Sequence, residues 1–432
     1  MGAGWAGLSA AIAAVQAGHQ VQVFEMAREC GGRARSHDSP RGLLDNGQHI
    51  MIGAYRESLR LMRLVGVDTD RALLRSPLYL KYPDGVGLAL PAGSPSVAFA
   101  RGVLATHHWS RLDRAVLLGT ALRWRLTGFV CDSDQTAADL CRHLPPSILH
   151  DMIEPLCVAA LNTSMQLASG QVFLRVLKDA LFGGPGSADL LLPRVGLSAL
   201  FAEPAAEWLQ VHGAALHLGQ RVNTVDPTAA GWRVDGRSFD AVVISTTARE
   251  AIRLTQHINP DWCATVRELD HQPIITIWLS EPALTFGRPM VALRCELGEP
   301  AQFGFELVAL GGAAGLFAFV VSDAAQWIDL GMDAAVGALL RQVRRAFVGK
   351  FADDNCVQHV HMERRATFTC RAGMSRPSAH IAAGLVAAAD YVDGPYPATL
   401  EGAVQSGLRA AGLVIGPIAA RDRPDGAAGL RR

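Results

Sequence analysis

Three glycines, Gly2, Gly4 and Gly7, followed by an acid at Glu25, have the spacing of a site that holds a dinucleotide. Gly2 permits a tight turn, Gly4 lets the backbone approach a pyrophosphate, and Gly7 lets a helix pack closely on a strand. The N-terminus of that helix offers free N–H groups and a partial positive charge to phosphate oxygens. Glu25 stands where a carboxylate accepts both ribose hydroxyls. A glycine doublet and an arginine follow, Gly31-Gly32-Arg33. The doublet lets a loop fold over the pyrophosphate, and Arg33 can neutralise it. A plain glycine turn with solvated arginines is the competing reading.

The elements that must position these residues are short and apolar. Leu8 to Ala17 reads as a helix closed by Gly18 and His19, and Val21 to Phe24 as a strand ending on Glu25. The unit calls for a buried strand of about five residues before Gly2, where only Met1 stands. That strand is the central one of its sheet, so its absence exposes two ladders. The expectation is that the natural protein begins several residues upstream.

The chain has 432 residues, 50% hydrophobic, with a formal net charge of zero. Such a length holds two or three domains around a large core. Zero net charge argues against nucleic acid as the main partner. The eight cysteines show no Cys-x-x-Cys pair and no metal spacing, so no metal site is expected and reduced thiols suit a cytoplasmic protein. No apolar run has the roughly twenty residues of a spanning helix. The segment Val97 to Phe129 mixes apolar residues with Arg101, Arg111, Arg114, Arg123 and Arg125, with Trp109 and Trp124 expected at the margins. It reads as an ordinary amphipathic helix pair or as a peripheral contact on the inner face of the plasma membrane.

The glycine doublet following the ribose acid resembles the FAD-dependent amine oxidase and phytoene desaturase superfamily. The stretch Asn46-Gly47-Gln48-His49, followed by Gly53-Ala54-Tyr55-Arg56, is similar to its squalene-associated branch, the hydroxysqualene dehydroxylases. Pro155 to Thr163 and Leu190 to Phe201 are similar to the same branch and read as walls for a long hydrocarbon. The resemblance implies FAD as cofactor. It places Gly47 and Gln48 beside the flavin ring, and the backbone of Val222 near the adenine. His49 is there either an acid or base, or a residue that only hydrogen-bonds the loop or the flavin edge. Asp390 ends an apolar strand, where a carboxylate accepts a ribityl hydroxyl or orders the pyrophosphate. The family's Ala-Gly-Asp reads Ala388-Ala389-Asp390 here, and the methyl of Ala389 is expected to crowd the cofactor loop. Thr399, Glu401, Gly402 and Ala403 open a long helix that forms the third cofactor contact, directed at the flavin pyrimidine edge.

The implied fold is α/β: a discontinuous Rossmann-like FAD-binding domain (1–57, 186–265 and 360–432) with an inserted mixed-sheet and helical substrate domain (58–185 and 266–359). In the latter, Ile274–Leu279, Ala292–Leu297 and Leu316–Val321 read as strands and Asp333–Phe347 as a covering helix. The implied reaction replaces an allylic hydroxyl of hydroxysqualene, a long isoprenoid, by hydrogen. His49 is the first choice of proton donor and Tyr396 the second. A polyene desaturase or isomerase, and a non-catalytic lipid-binding relative, are the alternatives. No motif designates an electron donor.

Overall fold

The computed structural model describes residues 1–39, 42–296, 298–351 and 356–415. Residues 416–432, which close the expected segment 360–432, and Leu297, the end of an expected strand, lie outside them. In the first helix, α1 (Trp5–Gln16), eight of the twelve residues are alanine or aliphatic; Leu8 and Ile12 are fully buried. It stops before Gly18, whose φ of +83° no side chain tolerates well. β1 (Gln22–Glu25) follows, then β2 (Ser36–Ser39), which pairs antiparallel with Gly42–Asp45.

A helical layer comes next: α2 (Arg56–Leu64), α3 (Pro95–Ala105), α4 (Arg111–Leu126) and α5 (Gly170–Phe182). α4 starts in a capping box in which Ser110 and Asp113 satisfy each other's backbone N–H groups. Its inner face (Leu117, Thr120, Ala121, Trp124) packs with Phe99, Val103, Phe173 and Leu174. Trp109 and Trp124 are 1% and 6% exposed, so both are core residues and neither marks a helix margin.

β3 (Ala215–Leu218) runs parallel to β1, with Val23 opposite Leu216. β4 (Val242–Ile244) lies beyond them, and Met1 and Gly2 sit between β1 and β4. The Gly2 N–H donates to Phe24 O at 2.7 Å, the Ser245 N–H to Met1 O at 2.7 Å, and the Met1 amino group to Val243 O at 2.8 Å. These two residues thus lie at one end of the place expected of the central strand and bridge the strands on either side there.

The chain then forms a five-stranded antiparallel sheet from β5 (His271–Ser280), β6 (Met290–Ala292), β7 (Phe303–Glu306), β8 (Leu316–Val321) and β9 (Val357–Phe368), ordered β6-β7-β8-β5-β9. One face, with Ile275, Ile277, Phe317 and Phe319, buries α6 (Met332–Ala346) through Leu339 and Val343. The opposite face, with Trp278, Met290, Phe303 and Phe305, packs with Leu44, Leu190 and Leu192. The strand expected over Ala292–Leu297 is displaced to Met290–Ala292: Leu293 makes the last bond, its N–H to Gln302 O at 2.8 Å, and Arg294 to Glu296 lie outside any strand.

The chain returns as β10 (His380–Ala382) and β11 (Leu385–Ala387), the latter parallel to β4. α7 (Leu400–Val414) then packs on α1, so tightly that a Cβ on Gly407 would lie 2.1 Å from Ala6 O. The architecture is α/β, and the two ends of the described chain meet in one core.

Candidate cofactor and substrate site

Two glycines of the first turn face protein and one faces space. A Cβ on Gly2 would lie 2.1 Å from Ser245 O, and one on Gly7 would lie 2.0 Å from Gly2 O. For Gly4 the nearest such atom is Gly32 Cα at 3.9 Å. Gly4 is also the N-cap of α1, with no side-chain cap and no acid in the first turn. The positive end of α1 is therefore left for an anion. The doublet folds back onto it: the Gly31 N–H donates to Ala3 O at 2.8 Å, and Gly4 bridges Gly31 in parallel. Positive φ at Gly31 (+113°) and Gly32 (+62°) makes this return possible. The Glu25 carboxylate accepts from the Ala3 N–H at 2.7 Å and the Ala27 N–H at 2.8 Å. Each oxygen keeps a further lone pair, and the group is fixed at the rim of the turn. A bare helix end under a glycine cradle, with an acid at its edge, fits the pyrophosphate and ribose of FAD.

Arg33 reaches the other end of the chain. Its Nη2 pairs with Asp390 Oδ1 at 2.5 Å, and Nη1 donates to Ala366 O at 2.7 Å. The guanidinium is thereby already neutralised, and Asp390 raises its pKa further. Ala389 lies outside the left-handed region, is 6% exposed, and donates its N–H to Ser406 Oγ at 3.0 Å. Its methyl packs in the core with Ile244 and Tyr391, and causes no backbone strain.

At α7, Thr399 is the N-cap: its Oγ1 accepts from the Gly402 N–H at 2.9 Å. A Cβ on Gly402 would fall within 1.7 Å of Tyr396 O, so the preceding loop requires glycine there. Ala403 closes the first helical bond, to Thr399 O at 3.0 Å. The fully buried Glu401 carboxylate instead faces α2, accepting from the Glu57 N–H, the Ser58 N–H and the Ser58 hydroxyl at 3.1, 2.9 and 2.7 Å. Val222 is buried, and its carbonyl accepts from Arg253 at 2.5 Å.

The loop from Asp45 to His49 is held on the inward face of the five-stranded sheet. Asn46 donates to Arg33 O at 2.8 Å, and Asp45 accepts from Ser36 and the Leu197 N–H at 2.6 and 2.9 Å. Gly47 has φ +86°, and its missing Cβ would lie 3.6 Å from Thr276 Oγ1; Gln48 is half-buried beside it. His49 Nδ1 lies 3.0 Å from Gly47 O. A carbonyl only accepts, so Nδ1 carries the hydrogen and the neutral ring presents a bare Nε2. Burial lowers the pKa of His49 below its ordinary value; Gly47 O and Asp45 oppose this, and Arg33 adds to it. Tyr396 lies elsewhere: its hydroxyl donates to Asp179, which also pairs with Arg175 at 2.5 Å. Burial, together with Asp179, pushes Tyr396 up to about 12.

One polar feature escaped the sequence reading. On β9, His359, His361 and Glu363 stand opposite Trp278, Thr276 and Ile274 of β5. His37 of β2 closes the group, its ring 6.2 Å from His359 and 5.9 Å from His361. His361 Nε2 is buried with no hydrogen-bond partner among the described residues. Burial lowers the His361 pKa; Glu363 opposes this and the two neighbouring imidazoles reinforce it. The spacing i, i+2, i+4 along a strand was the available signal, since it puts three polar side chains on one face. No group of three or more His, Cys, Asp or Glu among the described residues has the arrangement of a metal site. All eight cysteines are free thiols. No helix among the described residues is long and apolar enough to cross a membrane.

The sequence pattern described as flavin containing amine oxidoreductase matches residues 5–415. Hydroxysqualene dehydroxylase of Sinorhizobium fredii is 27% identical, over 96% of this chain and 97% of its own. The protein of the same name from Rhodopseudomonas palustris is also 27% identical, over the same shares of each chain. Among solved structures, an oxidoreductase from Methanosarcina mazei superposes with a TM-score of 0.71 at 18% identity, over 94% of this chain and 98% of that one. That likeness concerns the fold.

Proposed function

The chain belongs to the flavin-containing amine oxidoreductase family, and from that premise we propose that it is a reductive dehydroxylase of hydroxysqualene. It is an FAD-dependent oxidoreductase. When bound, FAD supplies two-electron redox chemistry, and its pyrophosphate and ribose are assigned to the Gly4 and Gly32 cradle and Glu25. The observation that carries the substrate reading is the face beneath the Gly47–His49 loop. It is apolar (Trp278, Phe303, Phe305, Leu190, Leu192) except for the Thr276, His359, His361 and Glu363 stripe. These apolar side chains are buried against one another, so what the face offers a substrate is the polar stripe, where the single hydroxyl of a long hydrocarbon would be received. Likeness to two dehydroxylases over nearly the whole chain supports the same substrate. The segments 1–57, 186–265 and 360–432 then serve the cofactor, and 58–185 and 266–359 the substrate.

Loss of an allylic hydroxyl requires a proton at the leaving oxygen and exclusion of water from the developing cation. We assign delivery of that proton to His49 as its imidazolium: the Nδ1–H contact with Gly47 O orients the ring, and Nε2, bare in the neutral ring, takes up a proton and passes it to the leaving oxygen. Tyr396 is ranked below it, since its hydrogen is already committed to Asp179. Overall, the alcohol takes up two electrons and two protons, giving squalene and water. Reduced protein incubated without oxygen with hydroxysqualene should yield squalene by mass spectrometry. His49→Gln should retain FAD and lose on the order of 10²-fold in turnover. Full turnover in that variant removes His49, and conversion of phytoene with no action on hydroxysqualene overturns the substrate assignment.

A further inference from the structure

The helix α4 has two apolar faces, and only one of them is covered. Leu112, Ala115, Gly119, Leu122 and Leu126 recur at alternating intervals of three and four, which places them along one side of the helix. All five are exposed, Leu112 by 72%, Leu122 by 56% and Leu126 by 79%. Around Gly119 an added Cβ would meet nothing within 4 Å. The adjoining helix α3 leaves Val97 and Leu104 more than half exposed, and Val130 beyond α4 is 66% exposed. This concentration of exposed aliphatic side chains on one helix pair is unlike their usual scatter over a protein surface.

The margins of the stripe are basic. Arg101, Arg111, Arg123 and Arg125 are exposed, and Arg114 donates to Leu104 O at 2.6 Å, tying the start of α4 to the end of α3. The one acid from Val97 to Leu126 is Asp113, which is held by the Ser110 N–H at 3.3 Å and the Ser147 hydroxyl at 3.2 Å. Asp132 and Asp134 come only after the helix has ended. Five arginines against one restrained aspartate, flanking an aliphatic ridge, form the charge pattern of a helix lying in a membrane interface.

We propose that the outer face of α3 and α4 docks on an anionic phospholipid bilayer, with Leu112, Leu122 and Leu126 entering the acyl boundary and the flanking arginines meeting lipid phosphates. A second copy of the chain is the other candidate for an apolar stripe. The charges disfavour it, because stacking two such stripes brings rows of arginine together. The area disfavours it as well: helices of eleven and sixteen residues are about 16 and 24 Å long and about 10 Å wide, a face of roughly 400 Å², short of the roughly 800 Å² per partner of a stable dimer. Lipid phosphates match the arginines, and a bilayer has no minimum area to meet.

The test uses the full chain with FAD bound, sedimented with vesicles of phosphatidylcholine alone or mixed with phosphatidylglycerol. Binding is expected to the mixed vesicles, to weaken as salt rises, and to be at least tenfold weaker on phosphatidylcholine alone. The triple variant Leu112→Ser, Leu122→Ser, Leu126→Ser should lose at least tenfold in vesicle affinity while keeping its flavin absorbance and melting temperature. The charge variant Arg111→Gln, Arg123→Gln leaves the ridge intact and should lose affinity for the mixed vesicles only. Absence of wild-type binding, or equal binding by wild type and both variants, overturns the proposal. A wild-type dimer that the triple variant turns into a monomer also overturns it, in favour of self-association.

Discussion

If the Arg33–Asp390 pair holds the glycine doublet against the returning strand, its two charges should be coupled in FAD binding. The closest atoms are 2.5 Å apart, and two unit charges centred about 4 Å apart interact by about 4 kcal/mol at an effective dielectric of about 20. The Arg33 side chain is 39% exposed and that of Asp390 11%. Solvent screening and the entropy of a long side chain reduce the expected net coupling to about 1–2 kcal/mol, a factor of about 5–30 in an equilibrium constant. Arg33→Met keeps the aliphatic stem and Asp390→Asn keeps the shape, so the two singles and the double variant form a cycle. FAD affinity of all four proteins is read by flavin fluorescence titration. Arg33→Met should show the larger single loss, because it also abandons Ala366 O. The double variant should then bind about 5–30-fold better than the sum of the single effects implies. Additivity within about 0.3 kcal/mol would show that the pair is coupled to nothing at the cofactor, refuting the argument.

The glycines at the first turn should separate by role. Gly7→Ala forces a Cβ onto Gly2 O and should cost about 2–3 kcal/mol of stability, whereas Gly4→Ala should fold with an unchanged urea midpoint and lose at least about tenfold in FAD affinity; equal FAD affinity in Gly4→Ala and wild type would rule out the cradle. Glu401→Ala leaves the buried Ser58 donors unpaired and uncaps α2, so about 3–5 kcal/mol should be lost in urea titration, and a loss below about 1 kcal/mol would contradict the assignment. The imidazoles of His49, His271 and His361 are all lowered, chiefly by burial. The folded chain thus binds fewer protons than the unfolded one, and the melting temperature should be level above about pH 6.5 and fall as the pH drops below it. A melting temperature that rises on acidification through that range would contradict the burial of these rings.

Much of the first turn and of the last helix start was legible because the constraints there are local. A glycine triplet, a helix start and an acid twenty residues on are set by covalent spacing, and Thr399 and Gly402 mark a helix start by residue type alone. The strands Ile274–Leu279 and Leu316–Val321 were likewise readable from continuous apolar runs and appear within β5 and β8. Pairing across the chain was not readable in this way. That Arg33 is neutralised by Asp390 follows from a contact across 357 positions, and that Glu401 caps α2 follows from one across more than 340. No pattern within a helix or strand encodes either.

The tryptophans of the helical layer mark the same divide. Their residue type suits a membrane margin as well as a core, and only packing against Phe99 and Phe173 turned Trp124 inward. On the same helix the leucine stripe was left outside, where the sequence alone allowed either a solvated face or a membrane contact. The sequence by itself determined that this chain would build a glycine turn at the start of a helix, an acid at its rim and apolar strands to support them, since those depend on backbone freedom and short-range periodicity. The tertiary structure alone decided which charges are paired, which imidazoles are buried and which apolar faces remain uncovered, because solvation and charge neutralisation depend on neighbours that the fold brings from the far end of the chain.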